Sequence, residues 1–239
     1  MAAKGFAPKP TTITGPWSYS RLTTWEQCPF KAKLKYIDGL KEPGSPAMDR
    51  GTAIHKMAED FVMGTAPALA DELVRFYKQF ATLRGAKAEC ELEWGFTASW
   101  EPTGFFAKNA WCRMKTDVSY SPRPKVRSVI DHKTGRIYDA HKDQLGLYAV
   151  GEFIMHPEAE VVIAADWYLD QDAATELEFQ RAELPMMKEA WEGRVRPMFN
   201  ATDFPPKANF SCKWCHFRKA NGGPCVFALL VGVLCTMCM

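Results

Sequence analysis

Asp131 and Lys133 stand two apart in Val129-Ile130-Asp131-His132-Lys133-Thr134-Gly135, at the end of an apolar run. Residues two apart on a strand face the same side, so this carboxylate and this ammonium can point into one site while Ile130 and His132 point away. Such a pair suits hydrolysis of a phosphodiester. The carboxylate can hold a divalent cation, and the lysine can stabilise the phosphorane charge or orient and deprotonate the attacking water. Asp-x-Lys alone is a common pattern at strand ends, so the neighbours decide its weight. Asp117 ends the preceding strand-like run from Trp111, and a hairpin would return Asp131 beside it. Two adjacent carboxylates repel unless a cation or a proton resolves the repulsion. Downstream, Gln144 and Tyr148 are spaced to share one face of a helix. Upstream, Gly51-Thr52-Ala53-Ile54-His55 places a histidine in an amphipathic helix.

The elements that must position these residues are legible in outline. Ser18 or Ser20 can cap a first helix running toward Tyr36, interrupted at Pro29 by a kink or a restart that exposes Cys28. Lys41 to Pro46 reads as a loop, and Asp49 to Met63 carries Ile54, Met57, Ala58, Phe61 and Val62 at helical spacing. A helix over Pro67 to Leu83 is expected next. Short aromatic and β-branched runs at Glu89–Trp100, Trp111–Tyr120 and Val126–Asp131 then predict hairpin-linked strands. Asp139 to Phe153 returns to helix, Val161 to Leu169 reads as a buried strand, and Glu176 to Phe199 contains a further helix. The expected fold is α/β, a central mixed β-sheet flanked by helices.

In this order, Gly-Thr-x-x-His, a strand-end Asp, Asp-x-Lys and Gln-x-x-x-Tyr resemble the motif series of RecB-like nucleases in the PD-(D/E)XK superfamily. The resemblance spans His55 to Tyr148 and implies a restriction-endonuclease-like core. It implies that His55, Asp117 and Asp131 ligate Mg²⁺ or Mn²⁺, with the His132 backbone carbonyl as a further ligand. Lys133 would be the catalytic lysine, and Gln144 and Tyr148 would position it and the DNA strand. Relatives often carry a glycine shortly before the first strand-end Asp, where this chain has Arg113-Met114-Lys115-Thr116-Asp117. Those basic residues are candidates for phosphate contact.

Cys28-Pro29-Phe30-Lys31 near the start, with Cys212-Lys213-Trp214-Cys215 and Cys225 near the end, resembles the split iron-sulfur motif of AddB-type and CRISPR-associated adaptation nucleases. The resemblance implies a [4Fe-4S] cluster on Cys28, Cys212, Cys215 and Cys225 that joins distant parts of the chain. The Cys215-to-Cys225 spacing is longer than usual for such relatives. The pairs Cys212/Cys215 and Cys235/Cys238 also match the two knuckles of a zinc ribbon, so Zn²⁺ is the alternative. Cys90 and Cys112 lie in strand-like surroundings and read as plain buried thiols.

Length and composition bound these expectations. The 239 residues, 47% hydrophobic, suffice for one substantial core, and we expect a single domain over 1–239. Within it, 1–16 reads as a flexible leader, 17–46 as an N-terminal helix with Cys28, 47–200 as a catalytic core and 201–239 as a cysteine segment. Thirty basic and 28 acidic residues give a net charge of +2, so any DNA-binding surface must be local. The leader lacks the apolar stretch of a secretory signal, and the apolar run Val226–Leu234 is about half of a bilayer span. A cytoplasmic protein, of a bacterium or a phage-infected host, without a membrane contact is expected. The resemblance implies a DNA exonuclease acting on single strands or duplex ends in recombination, repair or phage DNA processing, with a helicase or recombination protein as partner. The alternatives are an endonuclease, a non-catalytic DNA-binding assembly subunit, and a zinc-ribbon structural protein. The second should have lost Asp117, Asp131 or Lys133, and all three are present.

Overall fold

The computed structural model describes residues 11–138 and 141–227. The chain divides into two compact units. One draws on residues up to Pro43 and from Gly193 onward, and the other is the continuous stretch Gly44–Glu192.

In the first unit, α1 (Tyr19–Gln27) starts where the Ser18 hydroxyl accepts from the Arg21 backbone N–H. Pro29 restarts rather than kinks the helix. It occupies the first turn of α2 (Pro29–Tyr36), where its missing N–H costs nothing, and Cys28 sits extended between the two helices. The C-terminal segment is tied to this break. The Asn209 side-chain amide donates to the Gln27 carbonyl, Gln27 to the Ser211 hydroxyl, and Arg194 makes a two-pronged pair with Glu26. Positions 228–239, with most of the apolar run and with Cys235 and Cys238, lie outside the described residues.

The second unit opens with α3 (Pro46–Val62), capped by Ser45. Ile54, Ala58, Phe61 and Val62 are its buried stripe, whereas Met57, expected on that stripe, is exposed. The chain then differs from the single helix expected over Pro67–Leu83. Thr65 and Ala66 fold back onto the Asp60 carbonyl, and regular structure resumes only as a 3₁₀ turn, Asp71–Phe76, followed by α4 (Tyr77–Gly85).

Six strands follow: β1 (Glu89–Phe96), β2 (Pro102–Thr103), β3 (Cys112–Arg123), β4 (Val126–Lys133), β5 (Val161–Tyr168) and β6 (Ala173–Gln180). They form one sheet in the order β2-β1-β3-β4-β5-β6. The β4–β5 pair is parallel and the rest antiparallel, so the sheet is mixed. A parallel pair needs a crossover, supplied by α5 (His141–Met155). Asp139, where that helix was expected to begin, lies outside the described residues. β6 was not foreseen from sequence, which placed only a helix within Glu176–Phe199. Its burial alternates strictly, with Leu177 and Phe179 inward and Glu176 and Glu178 outward, which is a strand's period. The helix, α6 (Leu184–Asn200), starts only after it.

The sheet is covered on both faces. Val118, Ile130 and Ala165 pack with Ile54, Phe61, Phe76 and Phe80 from α3 and the segment through α4. Val129, Val162 and Ala164 pack with Leu145, Ala149 and Phe153 of α5. Each such Val, Leu, Ile or Phe contributes about 1.5–3 kcal/mol on burial. This is the restriction-endonuclease-like α/β arrangement: a mixed sheet between helices.

Candidate active site

β3 and β4 deliver the two carboxylates as neighbours, Asp117 from the middle of β3 rather than from the strand end expected from sequence, and Asp131 from near the end of β4. Their ladder includes Val118 with Ile130, and the next residues along are Asp117 and Asp131. Asp131 and Lys133 project together: the Lys133 ammonium lies 2.5 Å from Asp131 Oδ2. Alternation buries Ile130 in the opposite layer and sends the His132 imidazole to pack against Phe80 and Trp167. The His132 imidazole thus points away from Asp131 and Lys133, though it meets the His55 ring edge to face, and its backbone takes part directly. Its N–H donates to Asp117 Oδ2 at 2.6 Å, and its backbone also hydrogen-bonds the His55 ring.

α5 closes a ring of hydrogen bonds around this pair. Lys133 donates to Gln144 Oε1 at 2.9 Å, Gln144 Nε2 donates to the Tyr148 hydroxyl at 2.6 Å, and that hydroxyl donates to Asp131 Oδ1 at 2.7 Å. Every member holds the next, so the Lys133–Asp131 geometry is set by four side chains rather than two. α3 supplies the opposite wall. α3 approaches the end of β4 at Gly51, where even a Cβ would meet Thr134 Oγ1 only at van der Waals distance, 3.4 Å. One turn on, His55 Nδ1 lies 3.2 Å from Asp117 Oδ1.

Two residues were missed by sequence reasoning. Glu91 takes a left-handed backbone, φ 55°, in the middle of β1, where the ladder passes from Cys90–Val118 to Leu92–Thr116 and skips Glu91 and Asp117. That conformation costs about 1–2 kcal/mol for a residue with a Cβ. With His55 and Asp117 it offers three ligand atoms within 4.8 Å of one another. One imidazole and two carboxylates form a donor set suited to Mg²⁺ or Mn²⁺. Nothing in sequence flagged Glu91, because its role depends on the irregularity. The second, Asp166, pairs with Asp131 across the parallel β4–β5 ladder; it is fully buried, its Oδ2 accepts from the Tyr168 hydroxyl at 3.4 Å, and its Oδ1 lies 3.8 Å from Lys133 Nζ without a hydrogen bond. An acid inside the apolar run Val161–Leu169 was the available signal.

The charges of these groups push one another in consistent directions. Burial and the neighbouring Asp117 charge raise the Asp131 pKa against the pull of Lys133 and Tyr148. Burial opposes ionisation of Asp117 as well, but the His55 hydrogen bond and the His132 and His55 rings outweigh it and hold Asp117 low. Burial would lower His55 and Lys133, yet the surrounding carboxylates raise both. Burial lifts Asp166 to about 7 and drops His132 to about 4.

Residues 16–107 match the family described as the PD-(D/E)XK nuclease superfamily. The matched stretch includes His55 and Glu91 and ends before Asp117, Asp131 and Lys133. No curated protein matches the chain. Among solved structures, a provisionally named exonuclease from Eubacterium rectale is similar over 88% of each chain, at 14% identity and a TM-score of 0.53. A structure named SSO0001 is similar over 82% of each chain, at 16% identity and a TM-score of 0.39. The first likeness is one of fold, and the second is too loose to add to it.

The cysteines fall into two groups. Cys112 is fully buried and Cys90 half-buried, and burial pushes the Cys90 thiol up to about 12, as expected of inert packing residues. Cys28, Cys212, Cys215 and Cys225 line one cavity in the first unit. Backbone N–H groups of Lys207 and Asn209 point at the sulfurs of Cys28 and Cys212, at 3.5 and 3.4 Å. Among the described residues no helix is long and apolar enough to cross a membrane.

Proposed function

We propose that this protein is a metal-dependent DNA nuclease, working as an exonuclease, with Asp117, Asp131 and Lys133 as its reacting groups. The observation that carries this reading is the closed ring Lys133–Gln144–Tyr148–Asp131 beside the His55–Glu91–Asp117 donor set. His55, Glu91, Asp117 and Asp131 are the residues that would hold Mg²⁺ or Mn²⁺, with the His132 backbone carbonyl as a further ligand. A bound divalent cation supplies Lewis-acid neutralisation of the scissile phosphate and a more acidic water. Lys133, kept protonated by Asp131, offers its ammonium to charge developing on the phosphorus oxygens. Gln144 fixes that ammonium through its carbonyl, and Tyr148 fixes the Asp131 carboxylate that faces it. The superfamily match over residues 16–107 and the fold shared with the named exonuclease support the same reading.

End-labelled linear and covalently closed circular DNA, single- and double-stranded, incubated with Mn²⁺ or Mg²⁺, tests it. Mononucleotides or short products from linear DNA with circles left intact is the expected result. Cut circles would replace exonuclease by endonuclease, and no cleavage of any substrate would remove the reading.

We further infer a [4Fe-4S] cluster on Cys28, Cys212, Cys215 and Cys225. All four of these thiols line one cavity, and the N–H groups aimed at the sulfurs of Cys28 and Cys212 are the kind of contact that tunes a cluster. Iron and sulfide analysis with visible absorbance of anaerobically purified protein decides between iron and zinc.

A further inference from the structure

β3 continues past the candidate site in a direction the proposed chemistry leaves unused. From Cys112 to Asp117 burial alternates, with Cys112, Met114 and Thr116 packed inward and Arg113, Lys115 and Asp117 on the other face. Lys115 already reaches the site, pairing with Glu91 at 2.6 Å. Arg113 lies four residues before Asp117, about 13 Å along an extended strand.

Arg113 faces two phenylalanines. Its guanidinium carbon lies 5.2 and 5.3 Å from the ring centres of Phe105 and Phe106, which meet edge to face at 4.9 Å. Phe106 is 78% exposed. Arg113 Nε is buried without a hydrogen-bond acceptor, and among the described residues no carboxylate pairs with the guanidinium. The arrangement is fixed by the backbone beneath it. Gly95 pairs with Arg113 in the β1–β3 ladder, and a Cβ on Gly95 would come within 2.6 Å of the Gly104 carbonyl oxygen. A glycine is therefore required for the 104–107 turn, closed by Ala107 N–H to Gly104 O, to rest on the sheet here.

Resting on the nuclease reading above, we propose that Phe105, Phe106 and Arg113 form a stacking platform for single-stranded DNA on the path from the catalytic carboxylates. An exposed aromatic face accepts any base, a guanidinium held against rings accepts a phosphate or a base, and together they are the elements of sequence-tolerant single-strand binding. The 13 Å separation spans roughly four nucleotides at stacked rise and fewer in an extended strand. In a duplex the base faces are already stacked, so the platform discriminates against it.

The test measures binding of a labelled single-stranded oligonucleotide and of its duplex to the full chain in EDTA, where nothing is cut. Phe106→Ala weakens single-strand binding about tenfold and duplex binding less than twofold. Phe106→Trp retains binding, and Arg113→Gln weakens it and flattens the dependence on salt by about one ion. A 2-aminopurine base in the strand is quenched by wild type and by Phe106→Trp but not by Phe106→Ala. Phe106 is exposed, so the two Phe106 variants are expected to melt with wild type. Single-strand affinity within twofold of wild type for Phe106→Ala, or equal losses for strand and duplex, overturns the platform. Cleavage is read separately. A protein that cuts DNA and ignores Phe106→Ala keeps the nuclease reading and loses the platform, and one that binds through Phe106 but cuts nothing does the reverse.

Discussion

Tyr148→Phe removes one oxygen from the ring around Lys133 and nothing else of substance. The hydroxyl donates to Asp131 Oδ1 at 2.7 Å and accepts from Gln144 Nε2 at 2.6 Å, while the ring is buried in the layer with Leu145, Ala149 and Phe153. Phenylalanine fills the same volume, so packing is kept. A hydrogen bond to a charged acceptor is worth about 1.5–3 kcal/mol. If that bond holds Asp131 in its working orientation in the transition state, its loss lowers single-turnover cleavage at saturating Mn²⁺ by roughly 10- to 100-fold. Gln144 still holds Lys133, so the rate should stay well above that of Asp131→Ala. Thermal melting should change little by comparison, because the unpaired Gln144 amide is only partly buried. Cleavage of an end-labelled oligonucleotide with enzyme in excess, alongside a melt, gives both quantities. A Tyr148→Phe rate within twofold of wild type would refute the idea that the ring sets the Asp131 geometry.

Asp131→Ala and Lys133→Ala should each abolish cleavage and leave DNA binding nearly intact, measured by turnover and by anisotropy, because both act on the transition state. Glu91→Gln and Asp117→Ala should instead raise the Mn²⁺ concentration for half-maximal activity, as titration of metal at fixed DNA would show. Cys28→Ser should bleach the protein and lower its melting temperature, with activity following the folded fraction, whereas Cys235→Ser and Cys238→Ser should be mild; the reverse pattern in visible absorbance and melting would move the metal to the C-terminal pair. Asp166→Asn should stabilise the metal-free protein increasingly as pH rises. The folded state holds a proton on Asp166 up to about pH 7 that the unfolded chain releases near 3.8, so wild-type stability falls across that window; urea melts at both ends read the difference, up to about 4 kcal/mol.

Much of this site was readable from type and spacing alone, because strand and helix periods translate directly into faces. Asp131 with Lys133, and Gln144 with Tyr148, are each fixed by one element, and the structure joins both pairs in one ring. Ser18 and Pro29 likewise announced local helix boundaries, since caps and a missing N–H act within a turn, whereas the Ser45 cap of α3 was not read from sequence. What escaped depends on contacts between elements. Glu91 reaches His55 and Asp117 only because β1 leaves regular geometry there, and Asp166 meets Lys133 only through the parallel register of β5 on β4. β6 went unread because Ala173–Gln180 is short, acid-rich and half-buried, and runs straight into a helix. Edge strands carry little of the apolar signal that marks central ones. The division into units has a similar cause: the segment with Cys28 and the one with Cys212 are far apart in sequence and share a unit.

The protonation balance of the site ties its parts together. Asp131, Asp166, Lys133, His55 and Tyr148 are all shifted toward holding a proton, and among the site's carboxylates whose shift is resolved only Asp117 goes the other way. Burial alone cannot produce that pattern, because it lowers lysine and histidine while raising the acids. Burial raises the acids and Tyr148, and an excess of negative charge adds to it and lifts Lys133 and His55 against burial: three carboxylates, Asp117, Asp131 and Asp166, act on one ammonium. Protons are what offset that excess in the metal-free protein. A divalent cation held by the same carboxylates would offset it instead, so Mn²⁺ binding should release protons, first from His55. Titration calorimetry in two buffers of different ionisation enthalpy measures the number released. At pH 6 it should approach one proton per Mn²⁺ in wild type, because His55 is raised above 6.5, and fall clearly in His55→Ala, which has no imidazole to give one. Buffer-independent heats at that pH would mean that the cation binds elsewhere, and the donor set of His55, Glu91 and Asp117 would lose its claim to it.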